Sequence, residues 1–135
     1  MTNGKIQFSV VVPTYNPDLK IFETLESIKK SLIYFEKQSK IDYEILIIND
    51  GGNQIDDKIN NLVKNTKVIN LKKNRGVGYA REVGARLSKF YKIFFLDSDV
   101  MVDPEAFYLL YNDFIKIDDA GSLGALQSYK NLNKS

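Results

Sequence analysis

Apolar residues fall along this chain in two alternating rhythms. Phe8-Ser-Val-Val-Val-Pro13 is a short, nearly continuous β-branched run, which predicts a strand covered on both faces. Behind it Phe22, Leu25, Ile28, Leu32 and Phe35 recur every three or four positions, the period of a helix with one apolar face. Asn16-Pro17-Asp18 supplies the expected start of that helix: Asn16 as N-cap, Pro17 at the first helical position, Asp18 in the first turn. The helix is expected to run to about Lys37. The same alternation then repeats. Tyr43 to Ile48 reads as a second strand, and Ile55, Ile59, Leu62 and Val63 as a short helix. Lys67 to Leu71 reads as a third strand, with Val77, Ala80, Gly84 and Leu87 on one helical face behind it. Lys92 to Leu96 reads as a fourth strand. Asp103-Pro104-Glu105 opens a helix by the same cap logic, with Phe107, Leu110, Tyr111 and Phe114 facing inward. Leu123 to Ser128 can be read as a fifth strand, and 130–135 as a loose polar tail.

Strand and helix alternating in this way predict an α/β, Rossmann-like fold: a mainly parallel sheet with helices on both faces, in a single domain over residues 1–135. In such a sheet ligands bind beyond the carboxyl ends of the strands, where the winding direction reverses. With strand order 3-2-1-4 the reversal lies between the first and fourth strands. Thr14-Tyr15 and Asp97-Ser98-Asp99 would then face each other across the crevice.

Composition narrows the chemistry that such a crevice can perform. The chain of 135 residues has no Cys and no His, which removes zinc sites of the usual kind, disulfides, thiol catalysis and a Ser-His-Asp triad. A metal would have to be held by oxygen, so Mg²⁺, Mn²⁺ and Ca²⁺ are the candidates. A net charge of +2 gives no case for nucleic acid. The polar start and strand-sized apolar runs predict neither a signal peptide nor a membrane span, and a cytoplasmic location is the expectation.

Asp97 and Asp99 stand at i and i+2 in an extended segment, so both carboxylates project to one side and can approach one cation. Alternatively, one binds metal while the other takes a sugar hydroxyl. Acidic residues after a strand also serve as turn formers and caps, but Asp103 is the expected cap here, which leaves the earlier pair free. Asp50 either forms an Asx-turn with Gly51 and Gly52 or accepts a hydrogen bond from a base N–H. Tyr15 could lay its ring along a base or simply pack, and Thr14 could equally cap its own turn. Pro13 is expected to interrupt the ladder and free the backbone groups that follow. The loop from Lys72 to Arg81 offers basic groups and a helix N-terminus, both suited to phosphate. It is neither a dinucleotide fingerprint, since Arg81 occupies the third Gly position, nor a P-loop. Gly84 is expected to permit close packing against the sheet.

Four segments carry a resemblance: Val10-Val-Val-Pro-Thr-Tyr-Asn16, Glu44-Ile-Leu-Ile-Ile-Asn-Asp-Gly51, Asn74-Arg-Gly-Val-Gly-Tyr-Ala-Arg81 and Phe95-Leu-Asp-Ser-Asp99. In this order and spacing the chain resembles glycosyltransferase family 2, enzymes of the GT-A fold. The resemblance implies a nucleotide-activated sugar as donor, most often a UDP sugar, and Mn²⁺ or Mg²⁺ on its diphosphate. It implies transfer with inversion to a saccharide or lipid-linked acceptor. It places Pro13, Thr14, Tyr15 and Asp50 around the nucleoside and Arg81 on the flanking helix. Asp99 becomes the main metal ligand, with Asp97 on the ribose or the metal and Ser98 between them. Three departures stand out. Asn49 replaces a customary Asp, and Glu82 a customary Asn. The family's general base lies further downstream than this chain extends, so the chain by itself is expected to bind donor without transferring it. The alternatives are a non-catalytic nucleotide-binding or partner-binding module and, more remotely, a receiver-like domain or a sugar nucleotidyltransferase. Self-association through an open sheet edge is a further expectation.

Overall fold

The computed structural model describes residues 4–55 and 57–116. Four parallel strands form one sheet in the order β3-β2-β1-β4. They are β1 (Ile6–Thr14), β2 (Ile41–Asn49), β3 (Thr66–Asn70) and β4 (Ile93–Phe95). Helix α1 (Lys20–Gln38) joins β1 to β2, α2 (Val77–Leu87) joins β3 to β4, and α3 (Ala106–Lys116) follows β4. The parallel pairing and the two-sided cover are those expected from the alternation of the sequence, and the order is the one posited for it. The fifth-strand expectation at Leu123–Ser128 and the tail at 130–135 lie outside the described residues. Among the described residues no helix is long and apolar enough to cross a membrane.

Alternate residues of the central strands feed two cores. Phe8, Val10, Val12, Tyr43, Ile45 and Ile47 pack against Ile21, Leu25, Ile28, Leu32 and Phe35 of α1 and against Phe107 of α3. Each such buried side chain contributes about 1.5–3 kcal/mol. Phe8 stacks on Phe35 with centroids 5.3 Å apart and Phe94 meets Phe107 at 4.7 Å, while Phe35 also meets Tyr108 and Tyr111, which holds α3 beside α1. On the opposite face Val11, Leu46 and Ile48 pack against Ala80 of α2. A Cβ on Gly84 would lie 2.3 Å from Val11 Cγ1, so only glycine lets α2 approach this closely. Glu44 interrupts the apolar run of β2. Its buried carboxylate accepts from Ser9 Oγ at 2.7 Å and Lys89 N at 2.5 Å.

Several local expectations are corrected. α1 begins at Lys20, and Asn16 does not cap it. Asn16 lies in the left-handed region at φ 47°, and its Oδ1 accepts from Asn53 N instead. The Lys20 amide donates to Asp18 Oδ1. Phe22 is exposed and Ile21 takes its place in the core, because Ile21, four residues before Leu25, continues the stripe of Leu25, Ile28, Leu32 and Phe35. Val77 and Leu87 are exposed, since α2 buries only Ala80 and Gly84. The short second helix is a 3₁₀ turn over Asp57–Asn61, and Leu62 is exposed beyond it. Asp103 meets α3 through its backbone carbonyl, which accepts from Ala106 N. Pro13 does not end the pairing of β1 with β2, which continues through Thr14↔Asn49.

Candidate functional site

The sheet opens at one place. β1 and β2 stay paired to their ends, and Asp50 N donates to Thr14 O at 2.8 Å. β1 and β4 part sooner, at Val11↔Phe95, with Leu96 N to Val11 O as the last bond. Backbone groups of odd-numbered β1 residues face β4, as Ser9 N to Lys92 O shows. The N–H that Pro13 lacks would therefore have pointed into the gap beyond β4. A cleft of about 640 Å³ opens here, at the point where the winding direction reverses.

Every residue named for the nucleotide or the metal lines that cleft, whereas Lys72, Lys73 and Arg75 of the basic loop do not. Pro13, Thr14 and Tyr15 come from the end of β1, Asp50 from the end of β2, and Arg81 from α2. Asp97, Ser98 and Asp99 come from the exit of β4. The Thr-Tyr and Asp-Ser-Asp segments thus share one cavity. Tyr15 is exposed at 57%, leaving its ring face accessible, whereas Thr14 is buried and its Oγ1 has no partner among the described residues.

The acidic groups differ in their neighbours. Asp97 Oδ1 accepts from Arg81 Nη2 at 3.2 Å, an ion pair with both side chains about half exposed. Asp97 is therefore not without a local partner, contrary to the expectation that Asp103 capping would leave it free. Asp50 is buried, and its carboxylate accepts from Arg75 N at 3.0 Å and Gly76 N at 2.7 Å, holding the basic loop at the start of α2. A carboxylate has about four acceptor sites, so a base N–H remains within its chemistry. Asn49 lies outside the cleft lining. Its Nδ2 donates to Asn53 O at 2.7 Å and Asn70 Oδ1 at 2.8 Å, bonds that an Asp could not donate.

Among the described residues no three acidic side chains gather into a metal cage. Asp97 and Asp99 nevertheless fit Mg²⁺ or Mn²⁺, which are customarily held by one or two carboxylates with phosphate oxygens and water completing the shell. The cleft is also lined by Lys20, which has no signal in the sequence, by Asn16, expected as a helix cap, and by Asn74 and Gly76 of the loop expected to suit phosphate. Asn16 and Gly52 approach so closely that a Cβ on Gly52 would sit 2.7 Å from Asn16 Cβ, and Asn16 N donates to Gly51 O. That clamp joins the β1 and β2 exits. Its one sequence signal was the Gly51-Gly52 pair, which was read only as a turn.

The profile of glycosyl transferase family 2 matches residues 9–134. The chain belongs to glycosyltransferase family 2. This family-2 chain is 33% identical over 108 residues to the poly(ribitol-phosphate) beta-N-acetylglucosaminyltransferase TarP of Staphylococcus aureus (strain N315), covering 77% of the chain and 32% of TarP. It is 33% identical over 103 residues to the dolichyl-phosphate beta-glucosyltransferase of Homo sapiens, covering 69% of the chain and 31% of that protein. The chain thus spans about a third of the length of these curated relatives. Among solved structures it matches S. aureus TarS 1–349 with a TM-score of 0.64 and 26% identity, over 91% of this chain and 39% of that one. The same TarS fragment solved in complex with UDP-GlcNAc matches in fold, with a TM-score of 0.62 and 24% identity over 88% of this chain and 37% of that one. The parallel 3-2-1-4 sheet is the GT-A, Rossmann-like arrangement of these neighbours.

Proposed function

We propose that the cleft binds the nucleoside diphosphate of an activated sugar together with Mn²⁺ or Mg²⁺, as the donor site of a glycosyltransferase. One observation carries this reading: Thr14-Tyr15, Arg81 and Asp97-Ser98-Asp99 line a single cavity at the reversal point of the sheet. The base lies along the exposed ring of Tyr15, near Pro13, Thr14 and Asp50. Asp50 also holds the loop that opens α2. Phosphate oxygens take Arg81 and the N-terminal turn of α2. Asp99 and Asp97 hold the cation, and Ser98 sits between them.

When bound, the cation neutralises charge that develops on a departing diphosphate. The residues of this chain orient the donor, and none of those described is assigned the role of general base. A UDP sugar is the preferred donor. It is supported by membership of the family and by the fold shared with the TarS complex that contains UDP-GlcNAc. The acceptor is proposed to be a hydroxyl of a saccharide or lipid-linked compound, transferred to with inversion.

The test is a melting-temperature panel of UDP, GDP, CDP and dTDP, each with and without Mn²⁺. Preferential binding to the folded state raises the midpoint, by about 2.7 kcal/mol of stability at a hundredfold excess over Kd. UDP with Mn²⁺ is expected to give the largest rise. Mn²⁺ alone is expected to give little, because two carboxylates make an incomplete shell. Equal midpoints under all conditions would remove the donor-site reading and favour a non-catalytic partner-binding module.

A further inference from the structure

α1 carries a polar stripe that its apolar period does not explain. Thr24, Ser27 and Ser31 stand at i, i+3 and i+7, and their exposures are 1%, 5% and 0%. Buried hydroxyls are costly unless hydrogen-bonded, and a helical Ser or Thr ordinarily bonds back to the preceding turn. Thr24 does otherwise: its Oγ1 donates to Ser98 O at 2.7 Å, 74 positions along the chain. Ser27 Oγ donates to Thr24 O at 2.7 Å and accepts from Val102 N at 3.0 Å. Ser31 Oγ accepts from Phe107 N at 3.3 Å. In order, the three hydroxyls meet Ser98, Val102 and Phe107, so the chain from the acidic turn to α3 is laid rung by rung along α1.

The acidic turn needs such a tie because it leaves the sheet early. Leu96 N makes the last bond to β1, and beyond it Val100 N to Asp97 O, at 3.2 Å, only closes the turn on itself. The ion pair from Arg81 reaches the turn through half-exposed side chains. Among the described residues, the Thr24 hydroxyl is the one tie from α1 to the Ser98 backbone, midway between the two carboxylates.

We propose that Thr24 is a positioning residue for the cation–diphosphate site: by fixing the Ser98 carbonyl, it sets where Asp97 and Asp99 stand over the cleft. The proposal rests on the donor-site reading above, and its test separates the two. Thr24→Val keeps the shape of the side chain and removes the donor, while Thr24→Ser keeps the donor. In the 135-residue chain, UDP affinity is measured by calorimetry with saturating Mn²⁺ and again in EDTA. The ratio of the two affinities is the readout, because a general loss of folding lowers both.

Wild type is expected to show a Mn²⁺-dependent tightening that D99N abolishes. T24V is expected to cut the ratio about tenfold, the low end for groups that orient metal ligands from behind. Its affinity in EDTA should be unchanged, and T24S should keep the wild-type ratio. If T24V does not fold, T24A takes its place with the same readout, since Ala is the strongest helix former. A wild-type ratio in T24V or T24A, with D99N lacking it, overturns the positioning role and leaves the donor site standing. So does a T24S ratio as low as that of T24V. Absence of any Mn²⁺ dependence in wild type overturns both readings together.

Discussion

Asp50 accepts the amide protons of Arg75 and Gly76 with a buried carboxylate, while Asp97 shares a half-exposed ion pair with Arg81. The first is fixed in place by backbone donors and the second can exchange partners. Tyr43 presents a different kind of titratable group. Burial, and after it the Glu36 carboxylate, pushes its hydroxyl from 10.0 up to about 12. The native state therefore holds this proton after the unfolded chain has lost it. The stabilisation is complete below about pH 10 and is lost as the pH rises toward about 12. Tyr43→Phe removes the titration. Urea denaturation at rising alkaline pH should show the stability difference between wild type and Y43F constant below about pH 10. Above it, wild type should lose ground to the variant. At this scale the residues lining the cleft were legible, because they follow strand ends where a parallel sheet binds ligands. Their partners were not. Nothing in the sequence around Arg81 or Thr24 says that it meets Asp97 or Ser98, since those contacts depend on the packing of α2 and α1.

Among the elements, the four described strands were legible because they are short runs rich in β-branched and aromatic residues bounded by turn residues. Helix boundaries and faces were read less well, for physical reasons visible in α1 and α2. Asn16 has the chemistry of a cap, but the fold engages it in joining two strand exits, so α1 starts at Lys20; Ile21, which continues the buried stripe, replaces Phe22 inside. α2 shows apolar periodicity over Val77, Ala80, Gly84 and Leu87, yet it meets the sheet through Ala80 and Gly84, with Val83 packed beside them. Val77 and Leu87 are held away from the core on the exposed side. Gly84→Ala tests this close approach. Its new methyl would meet Val11, which is fully buried, and overpacking of this kind costs about 1–3 kcal/mol. Thermal melts should show the loss. Because α2 carries Arg81 into the cleft, the same variant should also bind UDP more weakly.

For the whole molecule, alternation implied a parallel sheet, and the 3-2-1-4 order posited for it is the one the structure has, with the cleft at its reversal point. What connects the two walls of that cleft could not be read in the same way. Arg81 reaches from α2 and Asp97 from the exit of β4, and they neutralise each other across 3.2 Å. An exposed pair of this kind is worth about 0–1 kcal/mol, so separating it is easy. Its effect on guests is bounded by that strength, about fivefold at most. An anion that draws the guanidinium away uncovers the carboxylate for a cation, and a cation on the carboxylate releases the guanidinium. If the cleft is the donor site proposed above, the two guests would assist each other, and by reciprocity each would raise the affinity of the other by the same factor. Arg81→Ala should pull the two affinities in opposite directions. In separate titrations, Mn²⁺ alone should bind the variant more tightly than wild type, and UDP alone more weakly.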